Sequence, residues 1–199
     1  MARKSSVDAL TLFDALVYTR IYRVSIDLPS DGLAWVMQVR HALRDRVGGF
    51  ECFYRLPGIT LLEVELPPEY GAPLRECIER ALAGQRGFAL RLDGARHAED
   101  RRSIFLGAEP AAAIGALQQR LLAHVKANRR IRKLGVEAPS PAVALIAGSL
   151  KPGQFEAAWQ LMGKEAYAGV REVRDLTLLA REVADDSLDE HVRSFRLEY

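Results

Sequence analysis

The sequence predicts an α+β fold made of two similar halves, and three observations carry that expectation. The order of patterned segments is strand, helix, strand, helix, hairpin, and then roughly the same again, so long crossovers mix with hairpins. Two distant segments also align: "PGITLLEVELPP" (57 to 68) over "PAVALIAGSLKP" (141 to 152). Pro57/Pro141, Leu61/Leu145, Leu66/Leu150 and Pro68/Pro152 are identical, while Ile59/Val143 and Leu62/Ile146 are conservative, the mark of a duplicated unit. Finally, 199 residues at 49% hydrophobic composition suffice for one sizeable core or two closely joined halves.

The elements follow from their periodicities. Val7, Leu10, Phe13, Leu16 and Val17 recur at helical intervals and predict a lead helix over 6 to 17. "YRVSIDL" alternates, with Tyr22, Val24, Ile26 and Leu28 on one face and Arg23, Ser25 and Asp27 on the other. Trp35, Val36, Val39, Ala42 and Leu43 form a helical stripe closed by Gly48-Gly49. Residues 51 to 56 and 58 to 66 read as two extended segments broken at Pro57, with "PPEYGAP" as a turn. Leu74, Cys77, Ile78, Ala81 and Leu82 mark the next helix, and "FALRLDG" with "RRSIFLGA" a hairpin. A helix from about 110 to 127, a basic connector "NRRIRK", the "PAVALIAG" strand and a helix over 152 to 164 come next. "VREVRDLTLLARE" reads as one long strand, and "SFRLEY" as the last. Residues 1–17 are thus expected as a helical extension and 18–199 as a single bilobal domain.

Several function classes are excluded or disfavoured at this level. A net charge of +2 declares no polyanionic partner by itself. Cys52 and Cys77 are too few for a disulfide framework and lack metal-ligand spacing, which fits reduced thiols in a cytoplasmic protein. Asp8 and Asp14 interrupt the early apolar positions, so no secretory segment is expected. No stretch approaches the roughly 20 apolar residues of a membrane span. A phosphate-binding glycine loop, a dinucleotide fingerprint and a calcium-loop spacing are all missing from the pattern. No cofactor and no metal are expected.

The chemistry concentrates in the aligned segments. Strand side chains alternate with a period of two, so Gly58 and Thr60 point away from Ile59 and Leu61, and Ala142 and Ala144 take the same two seats in the second copy. With "PGITLL", "PAVALIAGSLKPGQFEAAW", the "FALRLDG" hairpin and the closing "FRLEY" in this order, the chain from about Ile21 to Tyr199 resembles the 2H phosphoesterase superfamily, in particular its bacterial 2'-5' RNA ligase-like branch. The resemblance implies two pseudo-symmetric lobes, each an antiparallel-rich sheet with helices on its outer face, enclosing a central groove. It also implies two His-x-Thr motifs facing each other there, the histidines as general base and acid on a 2',3'-cyclic or 2'-5' phosphodiester and the threonines bonding phosphate oxygens.

This chain departs from that pattern at three of the four motif positions: Gly58, Ala142 and Ala144, with Thr60 alone retained. Positioned acid or base groups each contribute about 10²- to 10⁴-fold in rate, so no catalytic residue is expected at these positions. The expected function is a catalytically degenerate 2H protein that binds a phosphate-containing ligand, a nucleotide or an RNA end. The alternatives are an active cyclic phosphodiesterase using non-standard residues, and a protein-interaction scaffold. Small residues on a strand face also suit plain close packing of a neighbour.

Thr60, Tyr54 and Arg55, with the basic cluster Arg129, Arg130, Arg132 and Lys133, are the candidate ligand-binding residues. Arginine offers a bidentate fork to phosphate and tyrosine a stacking face to a base, although basic residues at a helix end also sit exposed as ordinary surface. Arg101 and Arg102 form a second basic pair. His41, His97, His124 and His191 share no metal-like or triad-like spacing, so solvated or capping roles are expected. Trp35 and Trp159 lie on helical stripes and are expected in the core. The lead helix offers a homodimer contact.

Overall fold

Alternation in "RIYRVSID" builds β1 (Arg20–Asp27), whose Tyr22, Val24 and Ile26 enter the core. The computed structural model describes residues 18–50, 52–132, 136, 144–162, 167–183 and 188–198. After β1 come α1 (Ser30–Val47), β2 (Gly58–Leu66), a 3₁₀ turn (Pro68–Tyr70) and α2 (Gly71–Leu82). The hairpin β3 (Phe88–His97) and β4 (Ile104–Glu109) leads into α3 (Ala111–Ala127) and the single turn α4 (Arg129–Arg132). β5 (Ala144–Ala147), α5 (Pro152–Met162), β6 (Ala168–Val173), β7 (Asp175–Glu182) and β8 (Glu190–Arg196) complete the chain.

The strands form one sheet in the order β6-β3-β4-β5-β2-β1-β7-β8, and every neighbouring pair is antiparallel. That order forces the sheet to curl. β6 is an edge strand and five strands lie between it and β7, yet only Arg174 separates the two in sequence. One residue spans at most about 3.6 Å, so the two ends of the sheet must approach each other. The contacts at that seam agree: Leu197 N donates to Arg174 O (2.8 Å) and Gly87 N to Glu198 O (2.9 Å), beside a parallel bridge between Arg86 and Glu198.

Helices cover the apolar face. α2 lies over the Tyr22 side of β1, since a Cβ placed on Gly71 would stand 3.0 Å from Tyr22 Oη, and α2 packs on α3, which also crosses β2. α1 packs with α5, and Trp35 stacks on Tyr167 at 5.7 Å between ring centroids. Ile26, Ile59, Leu62, Leu90, Leu106, Leu121 and Leu178 share one continuous buried cluster, each such side chain contributing about 1.5–3 kcal/mol by its removal from water.

Two expectations are corrected. Residues 52–55 form a turn rather than an extended segment: Cys52 adopts a left-handed φ of 69° and Arg55 N donates to Cys52 O at 3.1 Å. The long strand expected over 170 to 182 is two strands, because the chain passes from one end of the curled sheet to the other at Arg174. The lead helix, Lys133 and Ala142 lie outside the described residues.

Candidate functional site

The sequence of β2 begins with a residue that has no side chain, and the register with β1 shows what fills the space. Gly58 stands across from Asp27 and Thr60 across from Ser25, on the face turned away from Ile59 and Ile26. A Cβ on Gly58 would lie 3.0 Å from Ile26 O, a tight contact, and 3.5 Å from the Ser25 side chain, an ordinary one.

From Thr60 a row of hydroxyls crosses four strands. Ser25 pairs with Thr60 on one side and with Thr177 on the other, and Thr177 pairs with Ser194 of β8. Directly opposed residues of an antiparallel pair share a face, so all four hydroxyls do. Thr177 Oγ1 donates to Asp27 Oδ2 at 2.6 Å, and His191 Nε2 lies 2.9 Å from Ser194 Oγ. Ser25 and Thr177 are buried, Thr60 is half-buried, and Ser194 and His191 are exposed, so the row runs from interior to surface.

The same face carries an ion pair. Arg23, two residues before Ser25, bonds Asp189 of the β7–β8 connection and donates to Leu56 O at 2.8 Å. Asp189 Oδ2 also accepts from Leu56 N at 2.9 Å. The side chains are 7% and 3% exposed, so both charges have left water and each depends on the other. Burial pulls the Arg23 guanidinium below its ordinary value, while Asp189 and then Glu63 oppose that shift. Among the described residues Arg23 Nε finds no partner. Arg55 reaches Glu63 at 3.4 Å on the same border.

A second buried arginine ties β5 to the turn ahead of β2. Arg40 of α1 donates to Leu145 O (2.8 Å) and Ile146 O (3.1 Å) of β5, and to Arg55 O just ahead of β2. Burial lowers its pKa, and the Cys52 side chain is the first of the groups opposing that.

The sequence-predicted residues therefore separate. Gly58, Thr60 and Arg55 border one polar patch. Ala144 does not join it: its register partner is Ile59, it is 1% exposed, and Leu106 flanks it from β4. The alternation expected from Ala142 placed it on Thr60's side. A register irregularity between Ile104 and Phe105, and the consecutive buried residues Ile146 and Ala147, mark where strict alternation fails. Tyr54 is 49% exposed and meets the Phe53 ring edge-on at 4.9 Å. Arg129, Arg130 and Arg132 are exposed on the turn after α3, where Asn128 Oδ1 accepts from Arg130 N and Asn128 Nδ2 approaches Cys77 Sγ of α2.

Of the histidines, His41 packs on Phe53 and His97 on Trp159 and Phe155, while His124 Nδ1 lies 2.9 Å from Arg120 O. Only His191 reaches the hydroxyl row. Ser25 and Asp27 were visible in the sequence as the polar side of an alternating strand; Thr177, Ser194 and Asp189 needed the register of distant strands. Among the described residues no three His, Cys, Asp or Glu side chains gather as a metal site, and no helix is long and apolar enough to cross a membrane.

Residues 29–185 match the family model of the 2'-5' RNA ligase superfamily. The chain belongs to that superfamily. Solved structures share its fold. E. coli LigT complexed with phosphate aligns over 92% of this chain and 99% of its own, at 18% identity and a TM-score of 0.57. E. coli LigT complexed with NADP+ aligns over 90% and 98%, at 20% identity and a TM-score of 0.54. TT0787 of Thermus thermophilus aligns over 89% and 97%, at 17% identity and a TM-score of 0.61. No curated protein sequence matches significantly. The helix-covered, curled antiparallel sheet is thus the superfamily's, and the Thr60 patch lies on the first of its two aligned segments.

Proposed function

We propose that this superfamily member binds a phosphate-containing ligand, a nucleotide or an RNA end, beside Thr60 and no longer performs histidine-dependent phosphodiester chemistry. The observation that carries the reading is the state of position 58. No imidazole is present there, and a Cβ at that position would be tight against Ile26 O. A side chain at 58 would need Ile26 O to give by a few tenths of an ångström, so the position suits glycine. What Thr60 keeps is a half-buried hydroxyl in a polar patch, able to donate to a phosphate oxygen. Solved relatives in complex with phosphate, 3'-AMP and ATP support a nucleotide-sized anion as the class to test.

The rival reading is a phosphoesterase with non-standard groups. Asp27, held by Thr177, and His191, beside Ser194, are titratable groups on the Thr60 face and supply its one specific support. Incubation with a 2',3'-cyclic nucleotide and a 2'-5' linked oligonucleotide separates the two. The proposal expects saturable binding with no hydrolysis. Turnover near about 1 s⁻¹, ordinary for an enzyme, defeats it.

A further inference from the structure

A recess lies between β4 and the first turns of α3. This cavity of about 380 Å³ is lined on one side by Phe105, Gly107 and Glu109, with Arg96 beside them, and on the other by Ile114 and Gln118 among others. The geometry follows from the two periodicities. Residues 105, 107 and 109 alternate onto one face of β4, and Arg96 stands directly across from Phe105. Ile114 and Gln118 are four apart on α3 and so present one helical face to the opposite wall. A strand face and a helix face thus enclose a slot of the size that small ligands occupy.

Its polar groups are fixed. Glu109 Oε2 accepts from Ala111 N at 2.9 Å, which orients the carboxylate at the mouth of α3. Arg96 Nη2 donates to Asp93 Oδ2 at 2.6 Å, and that pair lies flat across Gly107. A Cβ on Gly107 would stand 2.1 Å from Asp93 Oδ1 and 2.6 Å from Arg96 Nε, so a side chain there would displace this pair.

We propose that the slot is a guanine subsite, with Phe105 against the base plane, Glu109 accepting from the N1 and N2 edge, and Arg96 donating toward O6 and N7. This rests on the nucleotide-binding reading above and extends it to base identity. Guanine is the base that presents two adjacent donors to a carboxylate and two acceptors to a guanidinium. Adenine offers one exocyclic donor group beside an N1 lone pair, which a carboxylate repels. Aromatic side chains stack on exposed bases, and a purine gives Phe105 the larger contact.

The test titrates guanosine, 3'-GMP, 3'-AMP and inorganic phosphate into the wild type, Glu109→Gln, Phe105→Leu and Thr60→Val, with thermal unfolding of each variant as a folding control. The expected result is 3'-GMP binding about tenfold or more tighter than 3'-AMP. Glu109→Gln, which keeps an oxygen for Ala111 N, should erase that preference and leave 3'-AMP unchanged. Phe105→Leu should weaken guanosine severalfold. Equal affinities for 3'-GMP and 3'-AMP, or a preference that survives Glu109→Gln, overturns the subsite; sensitivity to Thr60→Val then leaves the phosphate reading standing. Guanosine binding that requires Glu109, with no response to phosphate or to Thr60→Val, supports the subsite and defeats the phosphate reading. Absence of any binding overturns both.

Discussion

The two aligned segments, similar in sequence, have become different places in the molecule. Around β2, Thr60, Ser25, Asp27 and Thr177 line one polar face, and a buried Arg23–Asp189 pair closes its border. Around β5, Ala144, Ile146 and Ala147 are buried in the apolar cluster. Strand pairing rests on backbone hydrogen bonds that almost any residue can make, so segments of similar sequence can carry side chains into different environments. The lesson is that two segments of similar sequence can meet different surroundings in this fold, one beside the polar groups of Thr60's face and the other, over its described residues, in the apolar core.

Cutting the border of the polar half should have the largest effect. Asp189→Ala leaves the Arg23 guanidinium buried without its carboxylate, and should lower the unfolding free energy in urea by about 4 kcal/mol. If the loss stays under about 1 kcal/mol, the pair is not the closure described. Arg40→Met removes the side chain that joins β5 to the turn ahead of β2, leaves three carbonyls without their donor, and should cost about 3 kcal/mol. Arg40→Lys should recover only part of that, because an ammonium lacks the planar fork. Gly58→Ala should cost about 1 kcal/mol through crowding at Ile26 O, read as a shift in the urea midpoint; a neutral result would mean that β1 yields easily and that position 58 is open. The smallest effect belongs to the turn after α3. The double substitution Arg129→Gln with Arg130→Gln should change stability by less than about 0.5 kcal/mol and leave nucleotide affinity unaltered, and a marked loss of affinity would bring that turn back into the site.

The sequence was most readable where periodicity alone decides. The stripe through Val36, Val39 and Leu43 and the alternation of Tyr22, Val24 and Ile26 appear in the structure as the buried sides of α1 and β1. It was least readable where distant backbone decides. Nothing local near Arg174 indicates that the chain passes between the two ends of the sheet, because an extended residue there serves one strand or two equally well. Ala144 shows the same limit: its side depends on how β5 registers with β2 and β4, which no single-strand pattern contains. Thr60 was legible through the repeat, but Thr177, Ser194 and Asp189 join it only through pairing between segments far apart in the chain. The basic "NRRIRK" cluster is a different case, with Arg129, Arg130 and Arg132 exposed on the turn after α3. Charge is plain in a sequence, and the side of the sheet on which it falls is not.

The central claim is that the Thr60 side still holds phosphate although the proton-transfer residues of the motif are gone. The direct measurement is ³¹P NMR of 2',3'-cyclic AMP with stoichiometric protein, for the wild type and Thr60→Val. The account predicts a shifted or broadened cyclic phosphate resonance that Thr60→Val restores toward its free position, with no ring-opened monoester after hours. A monoester signal growing within minutes, or a perturbation indifferent to Thr60→Val, would contradict it.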